Sequence, residues 1–447
     1  MVTNKLDKYA EFVGEDYIHS LREACLNFDG KTMAHVNSTY YGGGVAEMLN
    51  SYIPLLNEAG LETEWRLLKG DRDFFTVTKK LHNSLQGMKV NLDESDIESY
   101  EETLDNYSEF TKLGWYDMVI IDDPQPCGLI TRYNRHSPSF LKPLPNLMKL
   151  IELQKKQPWV WRCHIDLTKP DIQSWNFMKK YVEKYDSIIV STKDYAVPVN
   201  KPHFFVPPAI DPLSDKNKKI SDSVQVSQLE KYDIKDERPL ILQVSRFDHW
   251  KDPLGVIEVY KKLKKKIECQ LVLIGSMASD DPEGELIFNQ AFRAAEKERH
   301  VHLITAQDDI LVNTLQRRAD VVLQKSLREG FGLTVSEAMW KGTPVVASNV
   351  GGIPLQIDND VNGYLVNGID DCANKVGYLL THSAKARELG RNGIEKVRRN
   401  FLITRLIRDE IDIFNNMTST NSRKIFNNQK NKLTRSLNDL RKLVPIG

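Results

Sequence analysis

The sequence of 447 residues has no apolar run that approaches the roughly 18–20 residues of a membrane-spanning helix. Its opening segment, residues 1–24, is charged and amphipathic and lacks the apolar core of a secretory signal peptide. The chain also has no excess of charge, since 61 Lys and Arg balance 61 Asp and Glu. We therefore expect a cytoplasmic protein that has no membrane anchor and no overall field that would attract nucleic acid.

Cysteine is scarce, and no two of the five cysteines have the spacing of a zinc or redox motif. They are scattered along the chain as Cys25, Cys127, Cys163, Cys269 and Cys372. Such an odd, dispersed set indicates reduced thiols rather than a disulfide framework. The remaining composition, 41% hydrophobic and 27% charged, is ordinary for a globular chain, and the length is sufficient for two domains.

Strand-like segments alternate with helical patterns along the chain, which predicts an α/β fold with parallel sheets. The strands predicted in the first half are KTMAHVNST, YDMVIIDD, WVWRCHI and DSIIVST, and an acidic stretch at 93–105 is predicted to be a solvated helix face. A Pro-rich segment at 202–212 should be extended. The alternation then resumes with PLILQVSRF, CQLVLIG, HVHLITA, DVVLQKS and TPVVASN. The pattern therefore predicts two α/β units joined near residue 207.

The composition changes from about Met417 onward, where seven basic residues stand against one acidic residue, Asp439. A partly ordered, solvated extension is the simpler interpretation of this tail. The alternative is a short amphipathic helix that docks on a partner or on a second subunit of a homodimer. That alternative depends on four leucines spaced three and four residues apart, Leu433, Leu437, Leu440 and Leu443.

Three consecutive glycines, Gly42, Gly43 and Gly44, lie between a predicted strand and a helix predicted at 45–60. Glycines at such a turn let backbone amides approach an anion closely, and the helix N-terminus adds a favourable partial charge. A plain tight turn would explain the triplet as well. It matches neither the dinucleotide pattern G-x-G-x-x-G nor the P-loop, because no Gly-Lys-Ser/Thr follows.

A pair of cations follows the first predicted strand of the second half, in the segment QVSRFDHWKDP at 243–253. Arg246 falls at the carboxyl end of that strand, where open α/β sheets bind ligands, and Lys251 follows five residues later. Two cations that converge on one crevice suit a diphosphate leaving group, which gains negative charge as a glycosyl bond breaks. An ordinary surface charge would explain either residue alone.

A pair of carboxylates flanks a glycine-rich loop in the segment LREGFGLTVSEAMWKGTPVVASNVGG at 327–352. Glu329 precedes Gly-Phe-Gly, and a helix predicted from about Leu333 carries Glu337 one turn later. The loop amides and the helix N-terminus form an anion site. The carboxylates beside it suit sugar and ribose hydroxyls, which donate hydrogen bonds to them. Capping or surface roles are the structural alternative.

These segments together resemble the retaining glycosyltransferases of family 4. Longer segments resemble the nucleotide-sugar-dependent trehalose synthases of that family, and the likeness covers roughly residues 15–415. The segments are HVNSTYYGGGVAEML, FFTVTKKLHNSLQG, DDPQP, QPWVWRCHIDL, PPAIDPLS, QVSRFDHWKD, DDPEG and SLREGFGLTVSEAMWKGTPVV. The tail after Met417 lies outside the likeness.

The resemblance implies a GT-B fold, in which two Rossmann-like α/β domains face each other across a cleft. An acceptor-side domain is then expected at 1–206 and a nucleotide-sugar-binding domain at 207–399. Residues 400–416 should form a helix that crosses back to the first domain, and 417–447 would be a basic, polar tail.

The resemblance also implies roles for single residues. Glu337 should hold the ribose, and Glu329 should contact the transferred glucose around its 3-hydroxyl. The diphosphate should be bound by Arg246, Lys251 and the backbone of Gly330, Phe331, Gly332 and Leu333, with Gly43 and Gly44 closing on it from the first domain. His164 and Asp166 should lie at the sugar. The candidates for the acceptor pocket are Lys79, His82, Asn83 and Gln86, although a lone histidine such as His82 has a structural role as its alternative.

The chemistry implied is glucosyl transfer from UDP-, ADP- or GDP-glucose to glucose, which gives α,α-trehalose reversibly and needs no cofactor. Neither Asp122-Asp123 nor Asp280-Asp281 is assigned a metal, because in this family Arg and Lys replace the divalent ion, and turn or cap roles are expected for these aspartates. The alternatives within enzymes are a retaining trehalose phosphorylase and a sucrose-synthase-like enzyme with another acceptor. A non-catalytic sugar-nucleotide sensor and a dehydrogenase are weaker alternatives.

Overall fold

The computed structural model describes residues 5–40, 43–135, 157–234, 237–275 and 283–418. Three features singled out in the sequence lie outside these ranges: Gly42, the pair Asp280-Asp281 and the tail from residue 419 onward. Within the described ranges the strands form two six-stranded sheets, and all the strand pairs in both sheets are parallel.

The first sheet has the strand order β2-β1-β3-β4-β5-β6. Its strands are β1 Thr32–Asn37, β2 Glu62–Leu67, β3 Met118–Asp122, β4 Trp159–Cys163, β5 Ser187–Val190 and β6 His203–Phe205. The four strands predicted in the first half of the chain are confirmed as β1, β3, β4 and β5. β2 is absent from the predicted set because it is an edge strand whose exposed Glu62, Glu64 and Arg66 leave no apolar run in the sequence.

The second sheet has the strand order β12-β11-β10-β7-β8-β9. Its strands are β7 Leu240–Val244, β8 Gln270–Gly275, β9 Val301–Thr305, β10 Val321–Gln324, β11 Val345–Ser348 and β12 Tyr364–Val366. The five predicted strands of this half are confirmed as β7 to β11. The sixth, β12, is only three residues long and too short for a periodic pattern to reveal.

Helices cover both sheets, as expected for parallel strands joined by crossovers. In chain order they are α1 Ala10–Val13, α2 Glu15–Leu26, α3 Gly44–Glu58, α4 Arg72–Leu85, α5 Glu94–Phe110, α6 Ile130–Arg135, α7 Ile172–Val182, α8 Asp222–Lys231, α9 Pro253–Leu263, α10 Gly284–Ala295, α11 Asp309–Arg318, α12 Leu333–Trp340, α13 Ile369–Thr381, α14 Ser383–Asn400 and α15 Ile403–Thr418. None of these helices combines the length and the apolar character that crossing a bilayer requires.

Local sequence explains where several helices begin. The acidic stretch predicted as a helix is α5, which begins with a capping box between Asp93 and Asp96 and buries Tyr100 and Leu104 on its inner face. The helix predicted after the glycine triplet is α3, at Gly44–Glu58. All five cysteines are buried thiols.

The last described helix, α15, returns to the first sheet. Its apolar side, with Leu406, Ile407 and Ile411, lies in the same buried cluster as Met33 of β1 and Leu49 of α3. The chain therefore has the two facing α/β units and the returning helix that the resemblance implied. The segment between β6 and β7, residues 206–239, connects the two sheets.

Candidate active site

A cleft of about 400 Å³ lies between the two sheets. It is lined by residues at the ends of strands of both sheets: Asn37 ends β1, His164 and Ala306 directly follow β4 and β9, and Arg246 lies two residues after β7. Because the strands of each sheet are parallel, these residues gather at the carboxyl edges, where α/β proteins bind ligands. The cleft also has the size of a typical ligand pocket.

The two predicted phosphate-binding cations, Arg246 and Lys251, both line this cleft. The Nζ of Lys251 lies 2.6 Å from Oε2 of Glu329, and Nη2 of Arg246 lies 4.0 Å from Oδ2 of Asp248. Asp248 also caps the short 3-10 helix His249–Lys251, since its Oδ1 accepts from the amide of Trp250 at 2.7 Å. The turn after β7 thus holds both cations at the edge of the cleft.

Glu329 is a buried carboxylate at the same edge. Its Oε2 accepts from Lys251, from Nε2 of Gln324 at 3.0 Å and from Oγ of Ser326 at 2.9 Å. All three donors converge on that one oxygen, and Oε1 takes part in none of these bonds. This arrangement fixes the carboxylate in place while it remains part of the cleft wall.

The Gly-Phe-Gly loop packs directly on the first half of the molecule. A side chain at Gly330 would place its Cβ 1.7 Å from the carbonyl oxygen of His164, so only glycine fits there. Gly332 has a φ of 82°, which also favours glycine, and α12 begins at the next residue, Leu333. Tyr195 adds a further contact by donating its hydroxyl to the carbonyl of Glu329 at 2.8 Å. The four predicted loop residues, Gly330 to Leu333, all line the cleft.

The glycine loop of the first half faces the start of α12. A Cβ on Gly44 would lie 3.0 Å from Cδ1 of Leu333. Gly43 and Gly44 both line the cleft, and Gly43 is the residue that precedes α3. The structure therefore brings this loop opposite the N-terminus of α12.

Glu337 is almost completely buried on α12 and accepts from Nε2 of Gln316 at 3.0 Å. Burial alone would raise its pKa, but the ammonium groups of Lys216 and Lys341, together with hydrogen bonds, outweigh burial and lower it. Sequence reasoning missed Lys216, which also lines the cleft and lies 2.5 Å from Oε2 of Glu47 on α3. Burial and the neighbouring charge of Glu337 raise the pKa of Glu47 to about 7, against the opposing effect of Lys216.

His164 lines the cleft and is held by Asp122, the last residue of β3, and by Asp123, which follows the strand. Its Nε2 lies 3.0 Å from Oδ1 of Asp122, and Oδ1 of Asp123 accepts from its backbone amide at 2.8 Å. The turn role expected for Asp123 agrees with its φ of 67°. The expectation for Asp122 is wrong, because it is a fully buried acceptor for His164 and for Nδ1 of His35 at 3.3 Å.

Across the ranges given above, no group of three or more His, Cys, Asp or Glu side chains is arranged to hold a metal ion.

Sequence reasoning missed two buried side chains near Asp122, although the sequence contains a sign of each. His35 in β1 and Arg162 in β4 are polar residues whose direct neighbours along the strand are apolar. A charged or polar residue in such a position needs a buried partner.

Asp166 is not placed as the resemblance implied, because its side chain is buried outside the cleft lining. Its Oδ1 accepts from the amide of Thr168 at 2.9 Å and from the hydroxyl of the same residue at 2.6 Å. Its Oδ2 lies 3.4 Å from Nη1 of Arg328, which does line the cleft. Asp166 is therefore connected to the cleft by its ion pair with Arg328, a residue that sequence reasoning missed.

The four acceptor candidates on and after α4 divide into two pairs. His82 and Gln86 line the cleft and lie within 3.2 Å of each other, between Nδ1 and Nε2. Lys79 lines it too, but its Nζ is paired with Oδ2 of Asp248 at 2.8 Å. Asn83 lies outside the lining, and its Oδ1 accepts from Nε1 of Trp250 at 2.9 Å. The second pair thus connects α4 to the turn after β7.

The two halves of the chain match two known families. Residues 35–142 and 142–197 match the family described as trehalose synthase, N-terminal domain, and residues 225–396 match glycosyl transferases group 1. The chain is 41% identical over 418 residues to the trehalose synthase of Thermococcus litoralis, with 92% of this chain and 97% of that protein covered. It is 42% identical over 421 residues to that of Pyrococcus horikoshii, with 92% and 96% covered.

A trehalose phosphorylase from Grifola frondosa is more distant, at 27% identity over 420 residues, which cover 82% of this chain and 54% of that protein. Two solved structures share the fold. One is a trehalose-phosphate synthase from Burkholderia xenovorans in complex with glucose-6-phosphate, with a TM-score of 0.65 and 13% identity over 87% of this chain and 100% of that one. The other is an Anabaena protein in complex with UDP and glucose, with a TM-score of 0.60 and 14% identity over 86% and 98%.

Proposed function

The chain belongs to the trehalose synthase family of glycosyltransferases, and we propose that it transfers glucose from a nucleoside diphosphate glucose to free glucose. The product is α,α-trehalose, the anomeric configuration of the donor is retained, and the reaction is reversible. UDP-, ADP- and GDP-glucose are the candidate donors.

The observation that carries this proposal is the pairing of Lys251 with Glu329 at 2.6 Å, beside Arg246, at the carboxyl edge of the second sheet. Lys251 and Arg246 can bind the diphosphate, whose negative charge grows as the glycosyl bond breaks. Glu329 can accept from the hydroxyls of the glucose being transferred. With these proposed roles, the ion pair would hold the leaving group and the transferred sugar next to each other.

The nucleoside end of the donor is assigned to Glu337. An ionised carboxylate with its position fixed by Gln316 is a suitable acceptor for both hydroxyls of a ribose. The backbone amides from Gly330 to Leu333 and the N-terminus of α12 lie in the same cleft wall and suit the phosphates between ribose and glucose.

Retention is proposed to proceed on one face of the sugar. The acceptor hydroxyl attacks the anomeric carbon as the bond to the diphosphate breaks, and a phosphate oxygen of the leaving group takes the hydroxyl proton. The protein then contributes charge stabilisation and orientation rather than a nucleophile. Since Arg246 and Lys251 supply the positive charge, we propose that no metal ion or cofactor is required, and activity should persist in excess EDTA.

The decisive experiment is incubation of the protein with each nucleotide glucose and free glucose, followed by chromatography of the products. Trehalose and the matching nucleoside diphosphate are expected in equal amounts. A parallel incubation with fructose as acceptor tests the sucrose-synthase-like alternative. Transfer to fructose in preference to glucose would replace the proposed acceptor.

A trehalose phosphorylase is the second candidate, supported by the 27% identity with the Grifola frondosa enzyme. Inorganic phosphate could bind to Arg246 and Lys251, but only a nucleotide can also use Glu337 through its ribose. Binding energy from such remote contacts can be used at the reacting centre. Breakdown of trehalose should therefore require UDP, ADP or GDP and yield a nucleotide glucose. Release of glucose 1-phosphate from trehalose and inorganic phosphate alone would favour the phosphorylase.

A further inference from the structure

Three neighbouring strands of the first sheet bring together His35, Asp122 and His164. Asp122 ends the central strand β3, while His35 lies in β1 and His164 directly follows β4. His35 and Asp122 are fully buried, and the side chain of His164 is 9% exposed where it lines the cleft. One carboxylate thus holds an imidazole on each side, and one of the two imidazoles reaches the candidate sugar site.

The positions of the protons follow from the charge of the carboxylate. Burial would raise the pKa of Asp122, but the hydrogen bonds and charges of His164 and His35 outweigh burial and lower the pKa, so the group is ionised. An ionised carboxylate only accepts hydrogen bonds. The facing nitrogens, Nδ1 of His35 and Nε2 of His164, must therefore both carry hydrogen. A neutral His164 then keeps its lone pair on Nδ1.

The helix α15 reaches this group through Glu410, which is 1% exposed. Glu410 accepts from Nη1 of Arg162, which lies two residues before His164, and from the hydroxyl of Tyr52 on α3. The ring of Tyr52 packs edge-on against the imidazole of His35, with 5.4 Å between the centroids. Glu410 therefore contacts β4 through Arg162, close to His164, and it contacts α3 through Tyr52, whose ring packs on His35.

The stability of the fold does not explain this arrangement. Ionised groups lose their hydration when they are buried, and replacing a buried ion pair by packed apolar residues is often neutral or stabilising. The Arg162–Glu410 pair and Asp122 are nevertheless all buried, and Asp122 belongs to the cleft lining. These buried charged groups serve instead to hold one imidazole in a defined orientation. Metal-binding histidines are oriented in the same way by a hydrogen bond from their second ring nitrogen.

We propose that Asp122 is a positioning residue that holds His164 as the Nε2–H tautomer, so that its Nδ1 can accept a hydrogen bond from a sugar hydroxyl in the cleft. Glu410 of α15 anchors the strand and the ring on which this orientation depends. The role of the sugar hydroxyl rests on the proposed function, whereas the tautomer and its dependence on Asp122 do not.

The tautomer is tested by NMR on protein labelled with ¹⁵N in the histidine rings, with the His164 signals assigned from a His164→Asn variant. The Nε2–H pattern is expected for His164 in the wild-type protein. In Asp122→Asn the pattern of His164 or of His35 should change, because the amide nitrogen of Asn faces one of the two rings and donates to it. Observation of the Nδ1–H tautomer of His164 in the wild type, or unchanged patterns for both rings in Asp122→Asn, would overturn the proposal.

Kinetics separate positioning from a general loss of folding. Asp122→Asn is expected to lower kcat on the order of 10–100-fold, as loss of an outer hydrogen-bond partner does elsewhere. The Kd for UDP should stay within about twofold, since Arg246, Lys251 and Glu337, which are assigned to the nucleotide, belong to the second half of the chain. A normal kcat, or equal losses in kcat and UDP affinity, would contradict a positioning role.

The role of Glu410 is tested with Glu410→Gln. In case that variant fails to fold, Tyr52→Phe removes only the hydroxyl that donates a hydrogen bond to Glu410. A matched control is Tyr185→Phe, since Tyr185 is equally buried and donates to the carbonyl of Cys127 at 2.6 Å, away from this group. Tyr52→Phe should lower kcat several-fold, with the control unchanged. Equal kcat values for the two would remove Glu410 from the proposal. An inactive wild type would instead overturn the proposed function, and the NMR result would still decide the tautomer.

Discussion

The Nζ of Lys79 lies 2.8 Å from Oδ2 of Asp248, and this ion pair joins helix α4 of the first half to the turn after β7 in the second. Both side chains are buried, with exposures of 8% and 2%. Nζ of Lys79 is also 3.8 Å from Glu283, and Asn83 accepts from Trp250 one helical turn later. The helix expected to meet the acceptor is thus fastened to the turn that carries Arg246 and Lys251.

Lys79→Met and Asp248→Asn should each reduce turnover at least about tenfold, because breaking this buried pair loosens the connection between α4 and the turn that carries Arg246 and Lys251. The double variant should lose less than the two single losses combined, since the partners act as a unit. Steady-state kinetics of trehalose synthesis in a double-mutant cycle measures this coupling. Lys80→Met is the control, because Lys80 on the same helix pairs with Asp96 in a more exposed position. Strict additivity would show that the ion pair has no role in turnover.

Arg246→Ala and Lys251→Ala should each lower kcat on the order of 100–1,000-fold, the typical result of removing one donor that stabilises developing charge. Circular dichroism should show intact folding in both. Lys261→Ala provides the comparison, because Lys261 pairs only with the exposed Glu258 in the bonds described on α9. Unchanged kcat in both cleft variants would remove these cations from the leaving-group role.

Glu337→Gln and Glu329→Gln should have separable effects. The first should weaken binding of free UDP or ADP, since the carboxylate assigned to the ribose is lost, and calorimetry measures the Kd directly. The second should lower kcat with a smaller effect on nucleotide affinity, because Glu329 is assigned to the glucose. If nucleotide affinity disappeared in Glu329→Gln and persisted in Glu337→Gln, the two roles would have to be exchanged.

Glu47 gives the protein a predictable dependence of stability on pH. The pKa of Glu47 is raised from an ordinary 4.5 to about 7 in the folded state. Between pH 4.5 and pH 7, Glu47 is therefore protonated in the folded state and ionised in the unfolded chain. The stability that the protonated group contributes is present below pH 4.5 and is lost as the pH rises towards 7. Glu47→Gln, which cannot ionise, should gain in Tm relative to the wild type from pH 5 to pH 7. The exposed Glu102→Gln should show no such trend in thermal unfolding.

Removal of residues 418–447 should leave kcat within about twofold. The segment lies beyond the likeness to the family, and its polar composition is unsuited to a core. Size-exclusion chromatography of the full-length and shortened proteins would show whether the tail joins subunits. A folded but inactive shortened protein would show that the tail contributes to the site.

Much of the site was predictable from short stretches of sequence. Arg246 and Lys251 belong to one turn, and Glu329 and Glu337 flank one loop, so the pattern of strand, loop and helix already places each pair at a carboxyl edge. The apolar strands were predictable for the same reason, because burial on both faces leaves a continuous run of apolar residues. The edge strand β2 carries exposed charged residues instead, and β12 is only three residues long.

Local patterns are therefore enough to give the order of most strands and helices and the residues grouped in short motifs. Which distant groups became partners depends on how the elements pack together. Lys79 and Asp248 are 169 residues apart, and Arg162 and Glu410 are 248 residues apart. Pairing of buried charges depends on which elements pack together and on how much water they exclude, and neither is written in the local pattern. The local pattern therefore does not show that Asp166 and Asn83 lie outside the cleft lining, or that Glu47, Asp122 and Arg328 belong to it.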